Sequence, residues 1–219
     1  MNNGKDVSIL DYGIGNLLSV RRGVEKCGYN PILVNSNSQI QNSEKLILPG
    51  VGAFRDGINL LKQKGFIEGI LEFTKKGSPL LGICLGMQML FDTSDEHGMS
   101  DGLGLIPGKV VRIPNTSKNG NLHKIPHISW NKLLKPNNDT LWRNTILANT
   151  EVGSNVYFVH SFHAIPSYED HLLSTTDYNG RSLAGVVKKD NIYGCQFHPE
   201  KSGTIGLTIL KNFCELVHE

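Results

Sequence analysis

The 219-residue chain is poor in cysteine: Cys27, Cys84, Cys195 and Cys214 are widely spaced and form no Cys-x-x-Cys pair. In a chain of this length that excludes a disulfide-stapled scaffold and points to a reducing compartment. Long apolar runs are lacking as well. No stretch approaches the ~18 residues needed to cross a bilayer, and the N-terminal segment has no apolar core of the ~7–15 residues that a secretory signal carries. A cytoplasmic protein is expected. An excess of one charge is also missing, since 22 Lys and Arg face 20 Asp and Glu for a net +2, with no block of five like charges. That leaves no electrostatic footprint for nucleic acid or an anionic membrane surface. With 39% hydrophobic and 19% charged residues, 24 Gly and 9 Pro, the chain is neither disordered, collagen-like nor coiled coil. At ~150 residues per domain, one domain over residues 1–219 is expected, with small molecules or proteins as partners.

What is present is a regular alternation in the first half. Short apolar runs at 7–10, 32–34, 46–48 and 79–83 read as buried strands, and Leu17, Val20, Val24 and Cys27 recur at helical spacing. Helical patterns cover 54–64, 67–76 and 85–91, whereas 35–43 is a polar stretch. This is the pattern of an α/β chain with a mostly parallel central sheet flanked by helices. Beyond Gly98 come short strand-like pieces at 109–113, 156–160, 183–187 and 192–196, so β-rich additions are expected in the second half. Residues 115–123 read as a surface loop or hairpin tip, and an amphipathic helix at 204–218 closes the chain.

Gly82-Ile83-Cys84-Leu85-Gly86 places a nucleophile between glycines where a strand passes into a helix, the form of a strained elbow. The turn lifts Cys84 out of the sheet, the helix start favours thiolate, and the Leu85 N–H can meet an oxyanion. The competing reading is a buried apolar cysteine. Phe197-His198-Pro199-Glu200 supplies a base and a carboxylate two residues apart. In extended backbone both point to one face, so Glu200 can hold one nitrogen of His198 while the other faces a thiol. Alone, such a pair is more commonly a solvated surface pair. Gly13-Ile14-Gly15 after a strand is not a dinucleotide fingerprint, because position 18 is Leu18. Cys195 is expected to be structural, and His97, His123, His127, His163, His171 and His218 are not read as a metal site.

The elbow through Gln88 together with Phe197-His198-Pro199-Glu200 resembles the class I (triad-type) glutamine amidotransferases. Asp11 to Leu17, Pro49 to Phe54, Gly102 to Gly108, Pro126-His127 with Trp130-Asn131, and Tyr157 to Ser161 are similar to the branch formed by the glutaminase subunits of imidazole glycerol phosphate synthases. The likeness spans essentially the whole chain and implies a flavodoxin-like amidotransferase fold. It implies that Cys84 attacks the glutamine amide, that His198 is the base and Glu200 its orienter, and that no cofactor is needed. It further implies an oxyanion hole from Leu85 and from Val51 or Gly52, and substrate contacts from Gln88, His160, Ser161 and Phe162. A synthase subunit of (β/α)₈ type would take the ammonia, meeting the face around Asn16, Trp130, Tyr157 and Lys201; Lys201 also reads as an ordinary solvated lysine.

Residues 95–101, the long 115–123 loop and Ser129 depart from the histidine-pathway pattern. They leave open a sugar amidotransferase of surface-polysaccharide biosynthesis as the ammonia acceptor. A non-catalytic binding subunit and a cysteine peptidase or esterase are the alternatives of another class.

Overall fold

A computed structural model of the chain describes residues 5–137 and 139–217. Its first half contains β1 (Asp6–Leu10), α1 (Leu17–Lys26), β2 (Asn30–Val34), α2 (Asn37–Gln41), β3 (Leu46–Leu48), α3 (Phe54–Gln63), α4 (Phe66–Lys75) and β4 (Leu80–Ile83). These four strands pair in parallel. The inner strands β1, β3 and β4 are covered on both faces, which is why they are mostly apolar, whereas edge strand β2 leaves Ile32 and Leu33 exposed. Alternation then divides their side chains. Val7, Ile9, Ile47, Leu81 and Ile83 pack on one face with Val20 and Val24 of α1. Leu10, Leu46, Leu48 and Leu80 pack on the other with Ile58, Leu61, Ile70 and Phe73 from α3 and α4.

The chain continues through α5 (Leu85–Gln88), β5 (Phe91–Ser94), β6 (Ser100–Asp101), β7 (Ile106–Arg112), β8 (His127–Lys132), β9 (Asn155–His160), β10 (Phe162–Pro166), β11 (Leu172–Tyr178), β12 (Arg181–Lys189), β13 (Ile192–Cys195) and α6 (Gly203–Glu215). The last three strands extend the central sheet to seven, in the order β11-β12-β13-β4-β3-β1-β2. Strand β12 is antiparallel to both neighbours, while β13 runs parallel to β4. A four-stranded sheet, β10-β7-β5-β6, and the β8-β9 ribbon complete the β-rich half. Among the described residues no helix is long and apolar enough to cross a membrane.

Four local expectations need correction. The helix after Cys84 stops at Gln88 instead of running to 91, because the carbonyls of Met89 and Leu90 are taken by the N–H groups of Leu103, Leu105 and Ile106. That cross-connection turns the chain into β5. Within the stretch read as polar, α2 forms on a capping signal: Ser36 accepts from Gln39 N at 3.4 Å, and Ile40 is the one buried residue of the turn. His198 is extended, but Pro199–Lys201 is a 3₁₀ turn, with Lys201 N–H donating to His198 O at 3.0 Å. The closing helix ends at Glu215, and His218 lies outside the described residues.

Candidate active site

Strands β4 and β13 lie side by side in parallel, with Ile83 opposite Cys195. The segments that leave them therefore emerge at the same edge of the sheet, the edge where open α/β sheets place their ligands. This register brings Cys84 next to the segment carrying His198. The Cys84 N–H donates to Cys195 O at 2.7 Å, tying the elbow to β13. Cys84 itself has φ 54° and ψ −110°, a conformation that residues with a Cβ rarely adopt. Helix α5 is a single turn of four residues, so it offers the sulfur little macrodipole and mainly the free N–H groups of its start.

His198 is buried, and its Nδ1 is 2.8 Å from Glu200 Oε1. Its backbone is held on both sides: the N–H donates to Tyr157 O at 3.1 Å, and Ser202 Oγ donates to His198 O at 2.7 Å. Burial alone would disfavour the imidazolium. Hydrogen bonding to Cys84 and Glu200 outweighs it and raises the group to about 9. The arrangement thus favours a protonated ring between a sulfur and a carboxylate. The second oxygen of Glu200 is buried with no hydrogen-bond partner among the described residues.

A cavity of about 290 Å³ opens over the sulfur. Val51, Gly52, Leu85, Gln88, His160, Ser161 and Phe162 line it together with Cys84 and His198, and Lys201 stands at its wall. Glu200 lies behind His198 and does not reach the cavity; nor do Asn16, Trp130 and Tyr157. Asn16 caps α1 by accepting from Ser19 N at 3.3 Å. Trp130 is 55% exposed, and its ring centroid lies 6.0 Å from that of Tyr157 on the neighbouring strand.

Sequence reasoning missed two polar residues here. Glu96 lines the cavity and accepts from Phe54 N at 2.8 Å with Oε2, at the start of α3. Gln196 is fully buried between Gln88 and Cys84, accepting from Gln88 Nε2 at 3.1 Å and directing its own Nε2 to the sulfur at 3.9 Å. Strand alternation, which sets Gln196 on the same side as His198, was the available signal for the second. Cys195 is fully buried, and burial pushes its thiol well above the usual range. Among the described residues no group of three or more metal-ligating side chains is assembled. His123 and His127 are four apart, yet both instead pack against the Tyr178 ring.

The side chain of His160 is committed inward. Its Nδ1 meets Phe162 O at 2.8 Å and its Nε2 meets His127 Nδ1 at 3.0 Å. With Nδ1–H donating to the carbonyl, Nε2 is left to accept, so the ring is neutral and His127 supplies the proton of the second bond. Burial, chiefly, pushes His160 down to about 3. Burial also lowers His127 and His163. An unfolded histidine takes up a proton near pH 6.5, whereas folded His160 refuses it down to about 3. Stability is therefore intact above pH 6.5 and is lost as pH falls through that window, by roughly 1.4 kcal/mol per pH unit for one such group. Urea melts at pH 7.0 and 5.0 should show His160→Gln losing about 2 kcal/mol less than wild type on acidification. Equal losses in the two proteins would contradict this assignment.

The family model for class-I glutamine amidotransferases matches residues 8–216. The chain is 50% identical over 210 residues to the imidazole glycerol phosphate synthase subunit HisH 1 of Legionella pneumophila strain Lens, covering 96% of this chain and 99% of that one. It is 44% identical over 211 residues to the HisH subunit of Geobacillus sp. strain WCH70, covering 96% and 97%. A crystal structure of a glutamine amidotransferase superposes with a TM-score of 0.71 at 17% identity, covering 95% and 97%. The structure of PurLQS from Thermotoga maritima does so with a TM-score of 0.68 at 19% identity, covering 95% and 96%. These two likenesses concern the fold.

Proposed function

The chain belongs to the class I glutamine amidotransferase family, and from that premise we propose that it hydrolyses L-glutamine to glutamate and ammonia at Cys84 and passes the ammonia to a cyclase subunit making imidazole glycerol phosphate in histidine biosynthesis. The observation that carries the chemistry is the chain of contacts from Glu200 through His198 to Cys84 at the floor of a cavity. The thiolate adds to the carboxamide carbon. The imidazolium of His198 gives its proton to the departing nitrogen, the C–N bond breaks and a glutamyl thioester remains. Water, deprotonated by His198, then attacks the thioester, releases glutamate and restores the thiolate. Glu200 orients the ring and stabilises its charged form.

The N–H of Leu85 and one from Val51 or Gly52 would stabilise the oxyanion in both steps; all three residues border the cavity. Gln88 and the 160–162 segment would hold the amino-acid end of the substrate. Glu96, the carboxylate on the cavity wall, is suited to its ammonium group. Ammonia released to water would become ammonium, so the reading includes a heterodimer in the cytoplasm with a synthase of (β/α)₈ type capping the product side. Asn16, Trp130, Tyr157 and Lys201 are assigned to that interface, and exposed Trp130 is its best-placed anchor. The HisH names of the relatives at 44–50% identity favour the histidine pathway over a sugar amidotransferase.

Co-purification of the synthase, followed by glutaminase assays with and without it, tests the whole proposal. A phosphate-binding barrel cyclase that raises glutamine turnover is the expected result. An ATP-using sugar amidotransferase as the bound partner would overturn the pathway, and turnover of peptides or esters without turnover of glutamine would overturn the chemistry.

A further inference from the structure

We propose that Gln196 is a positioning residue that holds the Cys84 thiolate and Gln88 in one hydrogen-bonded unit. This rests on the reading of Cys84 as the nucleophile and goes beyond it. Gln196 is fully buried on the segment between β13 and His198, and its backbone N–H is already used by Gly185 O at 2.9 Å. Its side chain joins two functional neighbours. Gln196 Oε1 accepts from Gln88 Nε2 at 3.1 Å, and Gln196 Nε2 is aimed at Cys84 Sγ at 3.9 Å. Gln88 Nε2 also donates to Phe162 O at 3.0 Å.

A primary carboxamide has one oxygen and two N–H bonds, and that inventory fixes the direction of both groups. Phe162 O and Gln196 Oε1 consume the two N–H bonds of Gln88, leaving Gln88 Oε1 as the acceptor it offers to the cavity. Rotating the Gln196 amide by half a turn would set its NH₂ against the NH₂ of Gln88, two donors face to face. The acceptor end of Gln196 must therefore stay on Gln88, and its donor end stays on the sulfur. A separation of 3.9 Å is long for a neutral thiol. A thiolate is a charged acceptor and draws the same donor closer, so the contact strengthens in the state that attacks the substrate. Two titratable groups interact with the sulfur as well, His198 from the segment after β13 and the phenol of Tyr12 just past β1, while Glu96 and Lys201 border the same cavity. Gln196 differs from them in where its second bond runs: to Gln88, a residue of the cavity lining.

The test is the pH dependence of iodoacetamide alkylation of the full-length chain, with Cys84→Ala subtracted to remove the other cysteines, alongside glutamine kinetics of the synthase complex. Gln196→Met keeps the volume and removes both polar ends. The midpoint of Cys84 alkylation should move up by about one pH unit, and kcat should fall on the order of 10-fold. KM for glutamine should also rise, because Gln88 loses its anchor. Gln196→Glu keeps an acceptor for Gln88 and puts negative charge at the sulfur. It should move the midpoint further while leaving KM nearer wild type, and it supplies the same readout if the Met variant does not fold. A purely structural role would lower thermal stability and leave the midpoint where it is. An unmoved midpoint in both folded variants overturns the proposal. Glutamine turnover retained by Cys84→Ala would instead overturn the nucleophile reading, while the alkylation profiles would still judge Gln196.

Discussion

Exchange of Cys84 for alanine is expected to lower glutamine hydrolysis by at least about 10³-fold in the synthase complex, since no other group at the site can form the thioester. The fold should not suffer. The side chain is in a buried position, but apart from its bond with His198, which Glu200 holds in place in any case, its polar contacts are long, 4.0 Å to Val159 O and 3.9 Å to Gln196 Nε2. Cys195→Ala is the paired control. Cys195 is fully buried with its thiol pushed up by desolvation, so that variant should cost stability and keep activity. Cys84→Gly sharpens the argument further. At φ 54° and ψ −110° the cysteine backbone is strained, by roughly 1–3 kcal/mol. Glycine relieves that strain at a backbone-entropy cost of about 0.5–1 kcal/mol. The balance is about 0–2.5 kcal/mol in favour of glycine, so the inactive Cys84→Gly protein should melt no lower than wild type, and up to roughly 5–10 °C higher. Equal turnover in wild type and Cys84→Ala would remove the enzymatic reading altogether, and a lower melting temperature for Cys84→Gly would show that the elbow is unstrained.

The elbow and the His198–Glu200 pair were legible because each is a local pattern whose backbone demands are written in neighbouring residues: glycines around Cys84, proline between the base and its carboxylate. The parallel strands were legible for a related reason, since burial on two faces forces consecutive apolar residues such as Leu46-Ile47-Leu48. What could not be read is whatever depends on long-range bonds. The early end of α5 is decided by donors from 103–106. Glu96 enters the cavity wall with its carboxylate on the N–H of Phe54, a residue far away in the chain. Gln196 looks like any strand residue until β4 and β13 are placed side by side. His160 shows the same limit in reverse. The segment 160–162 does line the cavity, but the imidazole is engaged by His127 and Phe162 O, a partnership that exists only after β8 pairs with β9.

Gly86→Ala should be among the most damaging single-methyl additions next to the active site. A Cβ at Gly86 would lie 1.9 Å from Leu48 O and 2.9 Å from Leu48 C, and both are backbone atoms of the central strand β3. No rotamer change can clear them. Either β3 shifts, disturbing its ladders with β1 and β4, or α5 lifts away and takes the Leu85 N–H out of position. Overpacking of this kind costs about 3 kcal/mol or more, a large fraction of a typical stability of roughly 5–15 kcal/mol. The variant should be insoluble on expression, or melt roughly 6–12 °C below wild type with little activity left. Gly28→Ala isolates the other reason for glycine. Gly28 has φ +84°, but a Cβ there would meet nothing within 4 Å, so only the backbone penalty of about 1 kcal/mol applies. It should melt a few degrees low with full glutamine turnover. If Gly86→Ala matched Gly28→Ala in both melting temperature and turnover, close approach of the elbow to β3 would not be what shapes this site.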